Sequence, residues 1–172
     1  MNAIAVRIDA FDTAAANIYS ANRIAALVYN DLLDTLPGYG GMGGNDTLAA
    51  QFAPEYDDGA TETMGALRDL IEACANIGLL LDTTGGNHRR ANEASVYDVV
   101  ALDPDDVLPP EGPVEVGAYG HSTAEGGDNA DLPDLWNLIQ DHAEGVLWPN
   151  ADTGRLGEAS STWHAKANTI RG

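Results

Sequence analysis

The sequence has 172 residues and a formal net charge of −19, from 27 acidic and 8 basic side chains. This balance argues against nucleic acids and anionic membrane surfaces as partners, because both attract Lys and Arg. No apolar run approaches the roughly 18 residues that a transmembrane helix needs, and the N-terminus lacks the basic start and apolar core of a secretory signal peptide. The single cysteine, Cys74, excludes an intrachain disulfide framework, and its place in an apolar stripe predicts a buried, inert thiol.

The acidic residues are unevenly placed along the chain. Between Ala91 and Gly154 there is no Lys or Arg, whereas fourteen Asp and Glu fall there. The first interpretation is solubility and self-repulsion, and the alternative is an acidic surface for a basic partner.

The first predicted element is a long helix that runs from Ile4 to Leu36. Apolar residues recur there every seven positions in two series four residues apart, which is typical of coiled-coil-like packing. Asn22 is the one polar residue in these series, and we expect it to fix the register of packing rather than to take part in catalysis.

A glycine-rich stretch from Leu36 to Asp46, which we call the elbow, follows this helix. Six of its eleven residues are Gly or Pro, so the chain must reverse direction, and Asp46 can cap a new helix. Its Gly-x-Gly-x-x-Gly pattern is interpreted as a turn and not as a nucleotide site, because a helix and not a strand precedes it. The residues selected as the elbow motif are Gly38, Tyr39, Gly40, Gly41, Met42, Gly43 and Asp46.

A second long helix is predicted after the elbow. Residues 47–53 are expected to form one or two helical turns that Pro54 interrupts, with the main helix over about 55–99. The predicted seam of this second helix has one series at residues 56, 63, 70, 77, 84 and 91 and another at 60, 67, 74, 81, 88 and 95. Met64, Ile71 and Leu80 are expected to widen it. Gly78, Gly85 and Gly86 weaken the helix, and a kink is expected near the last two. The hairpin-seam or partner-binding residues selected are Phe11, Ile18, Leu32, Leu67, Leu70, Ile77 and Leu81.

The rest of the chain is predicted to be a linker followed by two shorter helices. Residues 101–131 are acidic and rich in Gly and Pro; Asp128 and Asp131 lack the spacing of a calcium loop, so a solvated linker is favoured. A helix is expected over 131–147 and another after an Asp152 cap, with Leu156, Ala159, Trp163, Ala167 and Ile170 on one face. The selected C-terminal motif residues are Trp136, Trp148, Pro149 and Trp163.

The predicted fold class is all-α. A long antiparallel helical hairpin occupies residues 1–100, the linker 101–131, and C-terminal helices 132–172, which pack as a bundle and begin a second helical module. Two amphipathic helices alone leave an apolar groove on each side, so further helices must come from this chain or from another protein.

No catalytic motif is evident. The sequence contains no nucleophile elbow, no His-Glu-x-x-His and no Cys-x-x-Cys, and its four histidines share no ligand spacing. His88 is expected to be a packed residue of the hairpin. We therefore expect no enzyme activity in this chain, no cofactor and no metal.

Several short stretches resemble the N-terminal domain of actinobacterial polymorphic toxins. They are 40–46 (Gly-Gly-Met-Gly-Gly-Asn-Asp), 52–57 (Phe-Ala-Pro-Glu-Tyr-Asp), 76–78, 87–90 and 146–152 (Val-Leu-Trp-Pro-Asn-Ala-Asp), the last followed by Leu156 and Trp163. The resemblance implies an Esx-like, WxG-type helical hairpin at the front of a longer toxin that leaves the cell by type VII secretion without a cleavable signal peptide. It covers most of the chain except the acidic linker.

This resemblance implies a non-catalytic targeting domain, secreted or associated with the cell envelope. Its partner would be a small Esx-like helical protein or a component of the secretion machinery, and a toxin activity such as NAD cleavage would lie in a C-terminal domain outside this chain. The alternative is a channel-forming or membrane-inserting helical segment, since the type example of the family is also described as a channel. A further alternative is a four-helix domain whose own helices fill the groove and which binds nothing.

Two features depart from the family pattern. No Trp-x-Gly stands at the elbow, where Tyr39-Gly40 or Met42-Gly43 takes its place, and no Tyr is followed four residues later by Asp or Glu. If export requires that second signal, a partner must supply it.

Overall fold

An antiparallel pair of long helices dominates the computed structural model, which describes residues 7–95, 113–120, 122–127 and 151–171. Helix α1 spans Ile8–Thr35, α2 spans Ala49–Ser95, and α3 spans Thr153–Arg171. A short 3-10 helix, Leu36–Tyr39, follows α1 directly. The described residues contain no strand, so the predicted all-α fold and its long hairpin are confirmed.

Helix α1 buries the face that its heptad pattern predicts. Both predicted series are buried along the second half of the helix, and Tyr19, Ala26 and Val28 widen the buried face. The buried members of the two series are Ala15, Asn22, Ala25, Tyr29, Leu32 and Leu36. The predicted seam of α1 is therefore correct.

Helix α2 is continuous through Pro54, so the predicted interruption at this residue is wrong. Proline in a helix removes one backbone hydrogen bond, here the one to the carbonyl of Ala50. The neighbours on either side of Pro54 are held by contacts of their own: Ala53 is buried, and Asp57 accepts two hydrogen bonds. Those contacts offset the strain of a proline in the second helical turn.

The seam of α2 was predicted correctly for one series and one residue off for the other. Cys74 is buried, and Leu67, Leu81 and His88 are half-buried, as the series through positions 67, 74, 81 and 88 requires. The other series runs through Met64, Ile71, Gly78 and Gly85, and not through positions 63, 70, 77 and 84. Met64 and Ile71, which were expected to widen the seam, are buried members of it, whereas Leu80 is 67% exposed. The other two members are glycines, which a pattern of apolar side chains does not reveal.

The described residues fall into two compact units, each containing part of α1 and part of α2. The first unit comprises described residues within Met1–Leu27 and Leu67–Val116. Asp12 pairs with Arg89 at 2.7 Å, and the ring of Phe11 stacks on that of His88 at a centroid distance of 5.6 Å. Further along, Asn22 binds the carbonyl of Ile71, so the two helices run in opposite directions.

Asn22 also ties a third segment into the first unit. Its side chain is fully buried, and its Nδ2 donates to the carbonyl of Ile71 at 2.8 Å and to that of Val114 at 3.4 Å. Its Oδ1 accepts a hydrogen bond from the Val114 amide at 2.9 Å. A buried amide with its donor and acceptor satisfied specifies one arrangement of the three segments, which extends the register role predicted for this residue.

The second unit comprises described residues within Val28–Ala66 and Gly117–Gly172. Helix α3 begins where the predicted fourth helix was expected, with the Asp152 carboxylate accepting a hydrogen bond from the Arg155 amide at 3.0 Å. Its buried side chain is Ala159, and Lys166 forms an ion pair with Asp31. The end of the predicted apolar stripe, at Ala167 and Ile170, is exposed.

Several predictions lie outside the described residues. These are the helix over 131–147 with Trp136, the turn at Trp148 and Pro149, and the first part of the linker. The predicted domain boundaries stay predictions. The described part of the predicted linker, 113–120 and 122–127, is nevertheless hydrogen-bonded to the helices, through Asn22 in the first unit and Asp57 in the second.

Candidate functional site

The elbow adopts a conformation that only glycine accommodates at its centre. Gly41 and Gly44 have φ values of 73° and 81°, in the left-handed region that favours glycine. A Cβ atom on Gly41 would also lie 2.7 Å from the carbonyl oxygen of Gly126. The glycine cluster thus permits both the reversal of the chain and the close approach of a second backbone segment.

That second segment is 122–127, which lies along the elbow and forms an isolated antiparallel bridge with it between Gly44 and Gly126. The amides of Gly41 and Gly43 donate to the carbonyls of Thr123 and Ala124 at 3.1 and 2.9 Å. In return the amide of Gly126 donates to the carbonyl of Gly44 at 2.9 Å. The elbow backbone is therefore paired with a segment about eighty residues away in sequence.

Two carboxylates near the start of α2 accept backbone hydrogen bonds, one as the cap of the helix and the other from segment 122–127. Asp46 Oδ1 accepts hydrogen bonds from the amides of Leu48 and Ala49, both at 2.8 Å, so the predicted capping by Asp46 is correct. Asp57 accepts hydrogen bonds from the Thr123 hydroxyl at 2.7 Å and from the Ala124 amide at 2.9 Å. Asp57 thereby holds segment 122–127 against α2, a role that the sequence alone did not reveal.

Aromatic residues connect both the elbow and α2 to helix α3. The Tyr39 hydroxyl lies 2.7 Å from that of Thr162, and Trp163 Nε1 donates to the Tyr56 hydroxyl at 3.1 Å. Burial raises the pKa of Tyr56; the hydrogen bond from Trp163 lowers it, and the neighbouring Asp57 carboxylate raises it further. The structure thus brings the elbow motif, the Tyr56-Asp57 pair and Trp163 together, as parts of one packed junction.

The second candidate site is an apolar stripe on α2 in the first unit. Leu70, Ile77 and Leu80 are 42%, 46% and 67% exposed, and their spacings of seven and three residues place them on one face of the helix. On α1, Ile24 is 44% exposed and lies two residues after Asn22, level with the start of this stripe. Of the other selected seam residues, Leu32 is buried, whereas Phe11, Ile18, Leu67 and Leu81 are half-buried.

No family model and no solved structure matches the chain. It is, however, 29% identical over 166 residues to proteins called outer membrane channel protein CpnT from Mycobacterium bovis (strain BCG / Pasteur 1173P2) and from Mycobacterium tuberculosis (strain ATCC 25618 / H37Rv). The match covers 96% of this chain and 19% of each relative. The chain is similar to the N-terminal part of CpnT.

This similarity supports a CpnT-like N-terminal domain and thus the coarse part of the resemblance predicted from the sequence. The chain spans about a fifth of the length of these CpnT proteins. The Esx-like or WxG type and the route of export stay predictions.

The described residues contain neither a metal-binding cluster nor a helix suited to span a membrane. No group of three or more His, Cys, Asp or Glu there could hold a metal ion. None of the described helices is both long and apolar enough to cross a membrane.

Proposed function

We propose that this chain is the non-catalytic targeting domain of a CpnT-like secreted toxin and that it presents its helical hairpin to a partner. The observation that supports this proposal most directly is the similarity to CpnT over 96% of the chain. By this proposal the protein is secreted or associated with the cell envelope, and the toxin chemistry belongs to another part of the protein.

The exposed stripe on α2 is the partner-binding surface of this proposal. Leu70, Ile77 and Leu80 are exposed and have the spacing of apolar residues that pack against a neighbouring helix. Fully burying a side chain of this size stabilises a complex by about 1.5–3 kcal/mol. The partner in this proposal is an amphipathic helix that covers the exposed parts of these three side chains.

The proposed partner is a small Esx-like helical protein or a helical component of the type VII secretion machinery. A second copy of the chain is disfavoured, because each copy carries a net charge of −19 and the copies repel each other. A helical partner fits the stripe because knobs from a facing helix pack between residues at heptad spacing.

Co-expression with small helical proteins encoded beside this chain tests the proposal. The complex is measured by size-exclusion chromatography with light scattering, for the wild type, for Leu70→Ser with Ile77→Ser, and for Leu79→Ser as the matched control. Leu79 is 56% exposed, but its position two residues after Ile77 places it on another side of α2. We expect the double substitution to abolish the complex and the control to retain it; indifference of the wild type to every such neighbour contradicts the proposal.

A channel-forming segment is the second candidate, favoured by the printed name of the relatives, outer membrane channel protein. For this chain to insert into a membrane, many carboxylates would have to be protonated. Leakage of dye from liposomes at neutral and at acidic pH tests this function. Leakage confined to acidic pH supports it, and intact liposomes at both pH values count against it.

A further inference from the structure

A small apolar pocket opens beside the elbow, in the second unit. Its volume is about 160 Å³. It lies between the first turns of α2 and the start of α3. Its lining is apolar except for Asp46, the cap of α2; the other residues are Gly43, Leu48, Ala49, Phe52, Ala151 and Leu156. This size suits one large side chain, since an engineered apolar cavity of about 150 Å³ binds benzene.

The rim of the pocket is formed by side chains that the described residues leave uncovered. Leu48 and Phe52 are 47% and 40% exposed although both line an apolar pocket. At Gly43 the backbone packs closely against the wall of the pocket: a Cβ there would lie 3.3 Å from the ring of Phe52 and 3.0 Å from the carbonyl oxygen of Ala124. Pockets of this type hold the anchor residues of protein interfaces.

An acidic stripe continues from the pocket along α2. Glu55, Asp58 and Glu62 are exposed, and they follow Leu48 and Phe52 at the three-, four- and seven-residue spacings of one helix face. Among the described residues, no ion pair of Glu55, Asp58 or Glu62 is found, whereas Asp12, Asp31 and Asp152 pair with Arg89, Lys166 and Arg155. The charge next to the pocket is therefore uncompensated and attracts a positively charged occupant.

We propose that the elbow pocket binds one large apolar side chain of a basic amphipathic segment of a partner protein, whose Lys and Arg residues lie along Glu55, Asp58 and Glu62. This inference rests on the proposed function in that it names a second contact of the targeting domain with its partner. It differs in place and chemistry, because it lies in the second unit and depends on charge as well as on apolar contact.

The probe is a fluorescently labelled synthetic helix of eighteen residues with Leu at heptad a and d positions and Lys at the flanking positions. Binding to the intact chain is measured by fluorescence anisotropy at low and at high salt. Two comparison peptides replace the Lys residues by Glu or the Leu residues by Ala. We expect the Leu-Lys peptide to bind with a salt-dependent affinity and both comparison peptides to bind at least about tenfold more weakly.

Variants of the chain separate the pocket from general attraction between opposite charges. Ala151→Leu fills the pocket and is expected to weaken binding of the Leu-Lys peptide at least about tenfold. Ser160→Leu adds the same apolar group at an exposed position of α3 outside the pocket and is expected to leave the affinity within about twofold. If Ala151→Leu lowers the Tm, Leu48→Ser takes its place, since it removes an exposed wall of the pocket.

A final variant separates this inference from the proposed function. Ile77→Ser, on the stripe of the first unit, is expected to leave peptide binding unchanged. Loss of binding in Ile77→Ser but not in Ala151→Leu would mean that the peptide binds the stripe of the first unit, and it would overturn the pocket proposal. Equal binding by the pocket-filled variant, equal binding of the Glu peptide, or no saturable binding overturns it as well, without bearing on the complex measured by co-expression.

Discussion

Gly78 lies on the seam of α2 because the ring of Tyr19 occupies the space of its missing side chain. A Cβ atom there would be 2.5 Å from Cε1 and 2.8 Å from Cδ1 of Tyr19, whose side chain is buried. The sequence marked Gly78 only as a residue that weakens a helix. In the fold it permits the close approach of an aromatic ring.

The substitution Gly78→Ala is therefore expected to destabilise the protein, although alanine is the better helix former. Overpacking a filled site costs about 1–3 kcal/mol, which exceeds the gain of about 1 kcal/mol in helix propensity. Gly65→Ala is the matched control, because nothing lies within 4 Å of a Cβ at that position. Urea denaturation should show a lower free energy of unfolding for Gly78→Ala and a slightly higher one for Gly65→Ala; equal gains at both sites would contradict the account.

The half-buried Tyr119 makes the fold sensitive to alkaline pH. Burial raises the pKa of Tyr119 above its usual value of 10.0, and the nearby Tyr56 and Asp57 raise it further. The unfolded chain therefore releases this proton at a lower pH than the folded chain does. The contribution to stability is complete below about pH 10 and is lost as the pH rises through the higher pKa of the folded state.

Thermal unfolding of the wild type and of Tyr119→Phe between pH 8 and pH 11 checks this effect. We expect the Tm of the wild type to fall more steeply above pH 10 than that of the variant, while the two curves run parallel below it. Parallel curves over the whole range would show that Tyr119 keeps its ordinary titration in the folded state.

At the scale of elements, Asn22 connects the helical pair to segment 113–116. Asn22→Leu keeps nearly the same volume but removes three hydrogen bonds, and we expect it to lower the free energy of unfolding by about 2–3 kcal/mol. Hydrogen exchange at the Val114 amide should accelerate, because its acceptor is lost. Asn17→Leu, at an exposed position of α1, is the control; the same exchange rate at Val114 in both variants would exclude the role given to Asn22.

Asp57 holds segment 122–127 against α2 in the second unit, as Asn22 holds segment 113–116 in the first. Asp57→Ala removes two hydrogen bonds to a carboxylate and is expected to lower stability by about 1.5–3 kcal/mol. Asp58→Ala removes the same charge at the next, exposed position and should change stability by less than about 0.5 kcal/mol. Chemical denaturation of both variants measures the difference, and similar midpoints would mean that the segment does not depend on Asp57.

The elements that the sequence predicted well are those with local signals. The heptad pattern of α1, the glycine elbow, and the caps at Asp46 and Asp152 each depend on residues close together in the chain. Asn22 with Val114 and Asp57 with Ala124 join residues 92 and 67 positions apart, and no spacing rule indicates such pairs. Pro54 was misjudged for a related reason, since distant contacts offset a local preference.

At the scale of the whole molecule, the chain combines exposed apolar helix surface with a net charge of −19. In the proposed function, this charge disfavours association of identical copies, and Leu70, Ile77 and Leu80 form the surface for a helical partner. Leu70 and Ile77 were predicted to lie in the seam, which runs one residue further along, through Ile71 and Gly78. They therefore lie on its exposed flank rather than in it.

The most direct test of the central claim is export of the chain from its native host. The share of the chain in the culture filtrate is compared for the wild type, for Leu70→Ser with Ile77→Ser, and for Leu79→Ser, with a cytosolic marker to exclude lysis. The account predicts that the double substitution leaves the cellular amount unchanged and lowers the exported share at least about tenfold, as loss of two buried anchor side chains implies. Equal export of the double variant and the wild type would contradict it.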